Sequence, residues 1–169
     1  AASDVYKRQA DIVLGRFDAG IRVGGRLEKD MVAVRLTPDL NMVAVASADY
    51  LARRGTPQSP AELQDHACIN WRLQMDGRPY RWEFQERGQP LEVAVDGPVV
   101  TNHPDIGIAA ALQGLGIAYH FEREGLGELL AQGRLVQVLA DWSISRPGLF
   151  LYYPCLLYTS PSPRDRQKS

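Results

Sequence analysis

An α/β fold is predicted by three features of this 169-residue chain. Strand-length apolar runs alternate with helix-length segments, the order expected of strands and helices packed in layers. The helix-length segments open on capping residues and stop at glycines, as at Ser47 and Gly55 or at Asp105 and Gly114. Leu91, Val93 and Val95 alternate with Glu92, Ala94 and Asp96, the period of a strand with one wet face, so an antiparallel hairpin is inserted near residue 85.

In order, Asp11 to Leu14 reads as the end of a helix that Gly15 terminates, and Phe17 to Val23 as a buried strand. Met31 to Leu36 and Met42 to Ala46 are two more strands, separated by the turn Thr37-Pro38-Asp39. Ser47 caps a helix through Arg54. Ser59-Pro60-Ala61-Glu62 supplies the N-cap, first-turn proline and N3 glutamate of a capping box, for a short helix ending near His66. Strands follow at Ala67 to Trp71, Tyr80 to Glu86 and Leu91 to Asp96, the last two joined by the turn Arg87-Gly88-Gln89-Pro90, and a short one at Pro98 to Asn102. Asp105 then caps a small-residue helix through Gln113. Leu115 to Tyr119 reads as a buried strand, and Phe121 to Gln132 as a helix with Leu126, Leu129 and Leu130 on one side. Gly133 ends it, and Leu135 to Leu139 and Leu149 to Tyr153 are the closing strands.

Apolar residues make up 45% of the chain, enough for one globular body with a sizeable core. No apolar run approaches the roughly 20 residues that span a bilayer, and no charged-then-apolar leader opens the chain, so a cytoplasmic protein is expected. Residues 155–169, with two prolines bracketing a serine and no helical period, read as translated adapter or read-through sequence, as do residues 1–9. Setting both ends aside leaves 14 basic and 18 acidic residues between 10 and 154, a net of −4 against −1 for the whole chain. A mildly acidic body is a poor binder of polyanions.

Catalysis finds no footing. His66, His103 and His120 form no ligand pair, and Cys68 and Cys155 have no metal-ligand spacing. Ser47 lacks a nucleophile-elbow setting, Cys68 has no evident histidine partner, and Gly114-Leu115-Gly116 lacks the third glycine of a dinucleotide fingerprint. No enzyme activity, metal or cofactor is expected. Beside Ile69 in a strand, Cys68 reads as a buried structural thiol.

The stretch Gly15-Arg16-Phe17-Asp18-Ala19-Gly20-Ile21-Arg22-Val23-Gly24 resembles a signature of the effector-binding domain of LysR-type transcriptional regulators. The likeness continues in order through Val45 to Leu51, Leu63 to Ile69, Trp82-Glu83-Phe84, Thr101-Asn102, Ala109 to Ala118, Gly133 to Val136 and Leu151 to Pro154, covering about residues 10–154. It implies the two-lobed fold of type 2 periplasmic binding proteins, with a first lobe at 10–43 plus 134–154, a second at 44–133, and a small-molecule effector in the cleft between them. The family places a winged helix-turn-helix, a linker helix and the opening strands and helix of the effector domain before the signature. None precedes Gly15 here, and residues 155–169 depart from the family's final helix. The resemblance therefore implies a regulator truncated at its N-terminus, its first lobe incomplete, a homodimer or homotetramer at full length, touching DNA only through the missing module and touching no membrane. The alternative is a solute-binding protein of a transport system.

Five residues are expected to meet the effector. Asn102 and His103 follow a strand and precede a helix, where backbone N–H groups from Pro104 to Gly107 and the helix dipole favour an anion. Thr101 and Asn102 add side-chain donors, and the matching segment of the family contributes to the effector pocket; Asn102 and Asp105 acting as helix caps is the structural alternative. Arg22, at a strand end, can grip a carboxylate bidentately or pair with Asp18, and the family frequently has an arginine there facing the cleft. Ser47 is foremost a helix cap whose hydroxyl or adjacent amides can also reach a ligand. Trp71 is a candidate for the cleft edge, Tyr152 and Tyr153 for packing, and the helix after Phe121 for a subunit contact or a plain amphipathic surface.

Overall fold

A computed structural model describes residues 18–24, 31–72 and 79–154. The helix end at Leu14, the first residues of the signature, Cys155 and the segments 1–9 and 155–169 lie outside the described residues. The strands are β1 (Gly20–Val23), β2 (Met31–Arg35), β3 (Leu40–Ala46), β4 (Cys68–Trp71), β5 (Trp82–Glu86), β6 (Gln89–Val93), β7 (Val99–Thr101), β8 (Ile117–Phe121), β9 (Val136–Val138), β10 (Ser145–Arg146) and β11 (Leu149–Pro154). The helices are α1 (Ala48–Arg54), α2 (Pro104–Leu112) and α3 (Glu124–Ala131), with 3₁₀ turns at Pro60–Asp65 and Ala140–Trp142. Two units divide the chain, Leu40–Ser145 and the flanking Ala1–Asp39 with Arg146–Ser169. Residues 44–133, the span expected for the second lobe, lie within the larger unit, in which β3 and β9 are hydrogen-bonded neighbours in one sheet.

In the larger unit β3 pairs antiparallel with both β8 and β9, while β4 lies between β8 and β7 and runs parallel to each. Every residue of β3 from Met42 to Ala46 is buried. Met42, Ala44 and Ala46 join the core on one face of the sheet, and Val43 and Val45 join the core on the other. A strand covered on both faces reads as an unbroken apolar run, which is why this segment shows no alternation. The first face is filled by Tyr50 of α1, by Leu63 and by Trp82 and Phe84 of β5. The second is filled by Ile108, Ala110 and Ala111 of α2 and by Leu126 of α3. Full burial of each large side chain contributes about 1.5–3 kcal/mol, so these layers hold the unit together.

Local signals account for most boundaries. The Ser47 hydroxyl accepts from the Tyr50 N–H at 3.3 Å, and Gly55 ends α1 with φ 84°. The β5–β6 turn is shorter than expected: Arg87 and Gly88 alone form it with φ 49° and 78°, the two positive values a two-residue hairpin requires, so β6 begins at Gln89.

Three expectations are corrected. The Ser59 hydroxyl makes no cap; it donates to the Glu62 carboxylate at 3.1 Å, whose other oxygen accepts from the Gln58 N–H at 3.0 Å, and the turn is 3₁₀. The strand expected at Leu115 to Tyr119 lies two residues later, at Ile117–Phe121, because Gly114 turns the chain with φ 70° and leaves Leu115 exposed. Phe121 is therefore the end of β8, paired with Met42, and α3 begins at Glu124.

In the smaller unit β11 is the central strand, antiparallel to β1 and β2. The Thr37 hydroxyl accepts from the Leu149 N–H at 2.8 Å and fastens the Pro38 turn. Tyr152 is buried, as a packing residue should be, whereas Ile21 is 61% exposed, so β1 is not the buried strand its composition suggested.

Candidate functional site

Among the described residues the larger unit holds a cavity of about 350 Å³ where β4, β7 and β8 end. These strands run parallel, so their carboxyl ends lie together and α2 starts above them, the place where open α/β sheets bind ligands. The wall comprises Ile69 to Arg72, Thr101 to Pro104, Gly107 and Ile108 of α2, and Ala118 to Phe121.

Thr101, Asn102 and His103 all line this cavity. The Thr101 hydroxyl accepts from the His103 N–H at 3.0 Å and shapes the loop into α2. The expected cap is corrected: neither Asn102 nor Asp105 starts the helix, but His103, whose Nδ1 accepts from the Asp105 N–H at 3.3 Å. Backbone donors at this helix start are correspondingly scarce. Pro104 has no N–H, that of Asp105 is taken by the cap, and that of Gly107 reaches the His103 carbonyl at 3.4 Å. Asp105 itself bonds the Arg123 guanidinium, which holds its carboxyl below the usual range.

Ser47 does not line the cavity; it is buried and its oxygen is engaged in the α1 cap. Arg22 belongs to the smaller unit, its guanidinium carbon 4.4 Å from the centre of the Tyr152 ring, a cation–π contact.

Sequence reasoning passed over Arg72, Tyr119, His120 and Phe121, and held Trp71 only as an edge residue. Four of these five residues carry aromatic rings. The Trp71 ring lies 4.5 Å from Tyr80 and 6.3 Å from His120, and His120 meets Phe121 edge-on at 5.8 Å. The Tyr119 hydroxyl donates to the Glu83 carbonyl, and Asn70 Oδ1 accepts from the Trp71 N–H at 2.8 Å and from Trp82 Nε1 at 3.2 Å. Burial is the main cause that lowers the His120 pKa from 6.5, outweighing the hydrogen bond to the Phe121 carbonyl that favours its charged form. In the neutral ring Nδ1–H donates that bond, which leaves Nε2 as an acceptor.

No described group of three or more His, Cys, Asp or Glu is placed to hold a metal, and Cys68 is a buried thiol pushed up to about 12 by burial. Among the described residues no helix is long and apolar enough to cross a membrane.

A cavity at the carboxyl edge of a parallel sheet is a binding geometry, and comparison with known proteins gives the family of the chain that holds it. The model of the LysR substrate binding domain matches residues 3–165. The chain belongs to this family. A putative transcriptional regulator of Pseudomonas aeruginosa is 43% identical over 152 residues, 90% of this chain and 49% of that protein. The HTH-type transcriptional regulator PgrR of Escherichia coli is 39% identical over 144 residues, 85% of this chain and 48% of that protein. The regulatory domain of AphB in Vibrio vulnificus superposes with a TM-score of 0.73 at 23% identity, over 88% of this chain and 71% of that one. The LysR substrate-binding domain seen here thus has the type 2 periplasmic-binding-protein-like fold of such regulatory domains, and its relatives are transcriptional regulators rather than transport proteins. The chain spans about half the length of the curated relatives it matches.

Proposed function

We propose that this chain is the effector-binding part of a cytoplasmic LysR-type transcriptional regulator. It senses a small metabolite, anionic in the simplest case, in the cavity at the ends of β4, β7 and β8. The observation that carries this reading is the convergence of Thr101, Asn102 and His103 on one cavity in a LysR substrate-binding domain. Arg72 supplies a positive charge at the wall, and the α2 dipole adds a weaker one. Neither Arg22, whose guanidinium lies over the Tyr152 ring in the smaller unit, nor Ser47, the cap of α1, is assigned a part in this cavity.

The protein acts by binding, not by catalysis. Effector favours one arrangement of a homodimer or homotetramer over another, and its leverage equals its difference in affinity for the two. DNA contact belongs to a helix-turn-helix module outside this chain, in keeping with the acidic body.

The test expresses the gene with the coding sequence upstream of codon 10 and footprints DNA around its own promoter. The expected result is a footprint whose extent changes when Asn102→Asp alters the cavity wall. A full-length protein that protects no DNA overturns the reading.

A further inference from the structure

Resting on that cavity being the effector site, we propose that it takes a ligand bearing one carboxylate, and that Arg72 is the residue that binds the carboxylate.

The chain holds 20 acidic residues, yet among the described residues no Asp or Glu lines the cavity, while Arg72 does. The two described acids that directly follow wall residues in sequence are engaged elsewhere. Asp105 bonds the Arg123 guanidinium, and Glu122 accepts from Asn41 Nδ2 at 3.1 Å. A wall that carries a cation and no carboxylate favours an anion and repels a cation.

The Arg72 guanidinium is also uncommitted. Arg35, Arg81 and Arg123 each pair with a carboxylate of the chain, whereas the Arg72 side chain has no hydrogen bond or ion pair among the described residues. An arginine already paired must break that pair to take a ligand, and Arg72 need not. Its planar fork matches a carboxylate through two parallel N–H···O bonds. Arg72 is the one Lys or Arg of the described wall, so its charge is matched by one carboxylate rather than by a phosphate dianion.

The backbone holds this arginine in place while leaving its side chain at liberty. The Arg72 N–H donates to the Thr101 carbonyl at 2.9 Å, and the Trp71 N–H before it donates to Asn70 Oδ1 at 2.8 Å. Asn70 is itself buried and accepts from Trp82 Nε1 at 3.2 Å. The exposed side chain of Arg72 thus starts from a fixed point at the carboxyl edge of the sheet, next to the strand that ends in Thr101.

The experiment measures binding of benzoate, pentanoate, benzamide and phenylphosphonate to the 169-residue chain by calorimetry and thermal melting. The expected result is that the two carboxylates bind about tenfold more tightly than benzamide, and phenylphosphonate no more tightly than benzoate. Arg72→Gln should lose about tenfold in carboxylate affinity, leave benzamide unchanged and melt with the unmodified chain, because the fold uses only the backbone of Arg72. Arg72→Lys, which keeps the charge and loses the fork, should fall between the two. Arg81→Gln makes the same change of charge at a residue outside the wall and should leave all affinities unaltered. Benzoate bound equally well by Arg72→Gln, or equally weakened by Arg81→Gln, overturns the role of Arg72. Tighter binding of phenylphosphonate than of benzoate overturns the single carboxylate. No binding by any probe overturns the proposal, with the promoter footprint still deciding the regulator. Should Arg72→Gln fail to fold, Arg72→Lys and the comparison of benzoate with benzamide on the unmodified chain decide.

Discussion

His103 Nδ1 accepts the backbone N–H of Asp105 at 3.3 Å, so the residue that opens α2 is also part of the cavity wall. One ring therefore joins the stability of a helix to the shape of a binding site. Because Nδ1 is the acceptor, the neutral ring carries its proton on Nε2.

His103→Ala is expected to lower stability by about 0.5–1 kcal/mol, the low end for a lost cap because the bond is long and exposed. His103→Asn supplies a shorter side chain with the same acceptor role and should melt near the unmodified chain. Urea denaturation of the two variants checks this; equal losses would mean that the imidazole does not cap α2.

Asn102 carries no cap, so Asn102→Ala should change stability by less than about 0.5 kcal/mol. Asn102→Asp places a negative charge at the cavity wall and should weaken carboxylate binding while leaving neutral probes unaffected. Calorimetric titration with benzoate and benzamide separates the two. A stability loss in Asn102→Ala as large as that of His103→Ala would place the helix start at Asn102.

Burial depresses the pKa of His120, with Arg123 acting in the same direction and Asp105 against it. His66 is also depressed, by burial first and by Arg54 next. The unfolded chain therefore binds protons more readily at both positions. Their contribution to stability is present above the ordinary value of 6.5 and is lost as pH falls from there toward the depressed folded values. Melting temperature should drop from about pH 7.5 to about pH 5.5, and His120→Gln should show the smaller drop. Identical pH profiles for the two proteins would show that His120 is not desolvated.

Two glycines should respond oppositely to alanine. A Cβ at Gly97 would lie 2.1 Å from the Cys68 carbonyl oxygen, with no flexible side chain to yield, so Gly97→Ala should cost about 1–3 kcal/mol. A Cβ at Gly127, inside α3, meets nothing within 4 Å, so Gly127→Ala should add up to about 1 kcal/mol through helix propensity. Thermal melting of both checks the pair, and a stable Gly97→Ala would mean that β4 and the chain at Gly97 are further apart than described.

The parts legible in the sequence are those decided within a few residues. Ser47 and Gly55 bracket α1, Gly114 and Gly133 stop α2 and α3 with φ 70° and 68°, and the alternation of Leu91 and Val93 marks the wet face of β6. The strand-to-helix position of Thr101 to His103 was legible for the same reason: a strand passing into a helix is a local event, and its loop reaches the edge of the sheet.

Only the tertiary structure decided that β8 runs from Ile117 to Phe121, since that register comes from pairing with β3 some 75 residues earlier in the chain. It also decided which residues face Thr101 to His103 across the cavity. Trp71, His120 and Phe121 are brought there by β4 lying between β7 and β8, and no local propensity encodes which strands become neighbours. Strand order is set by burying both faces of the sheet at once, a free energy that belongs to the whole unit rather than to any one segment.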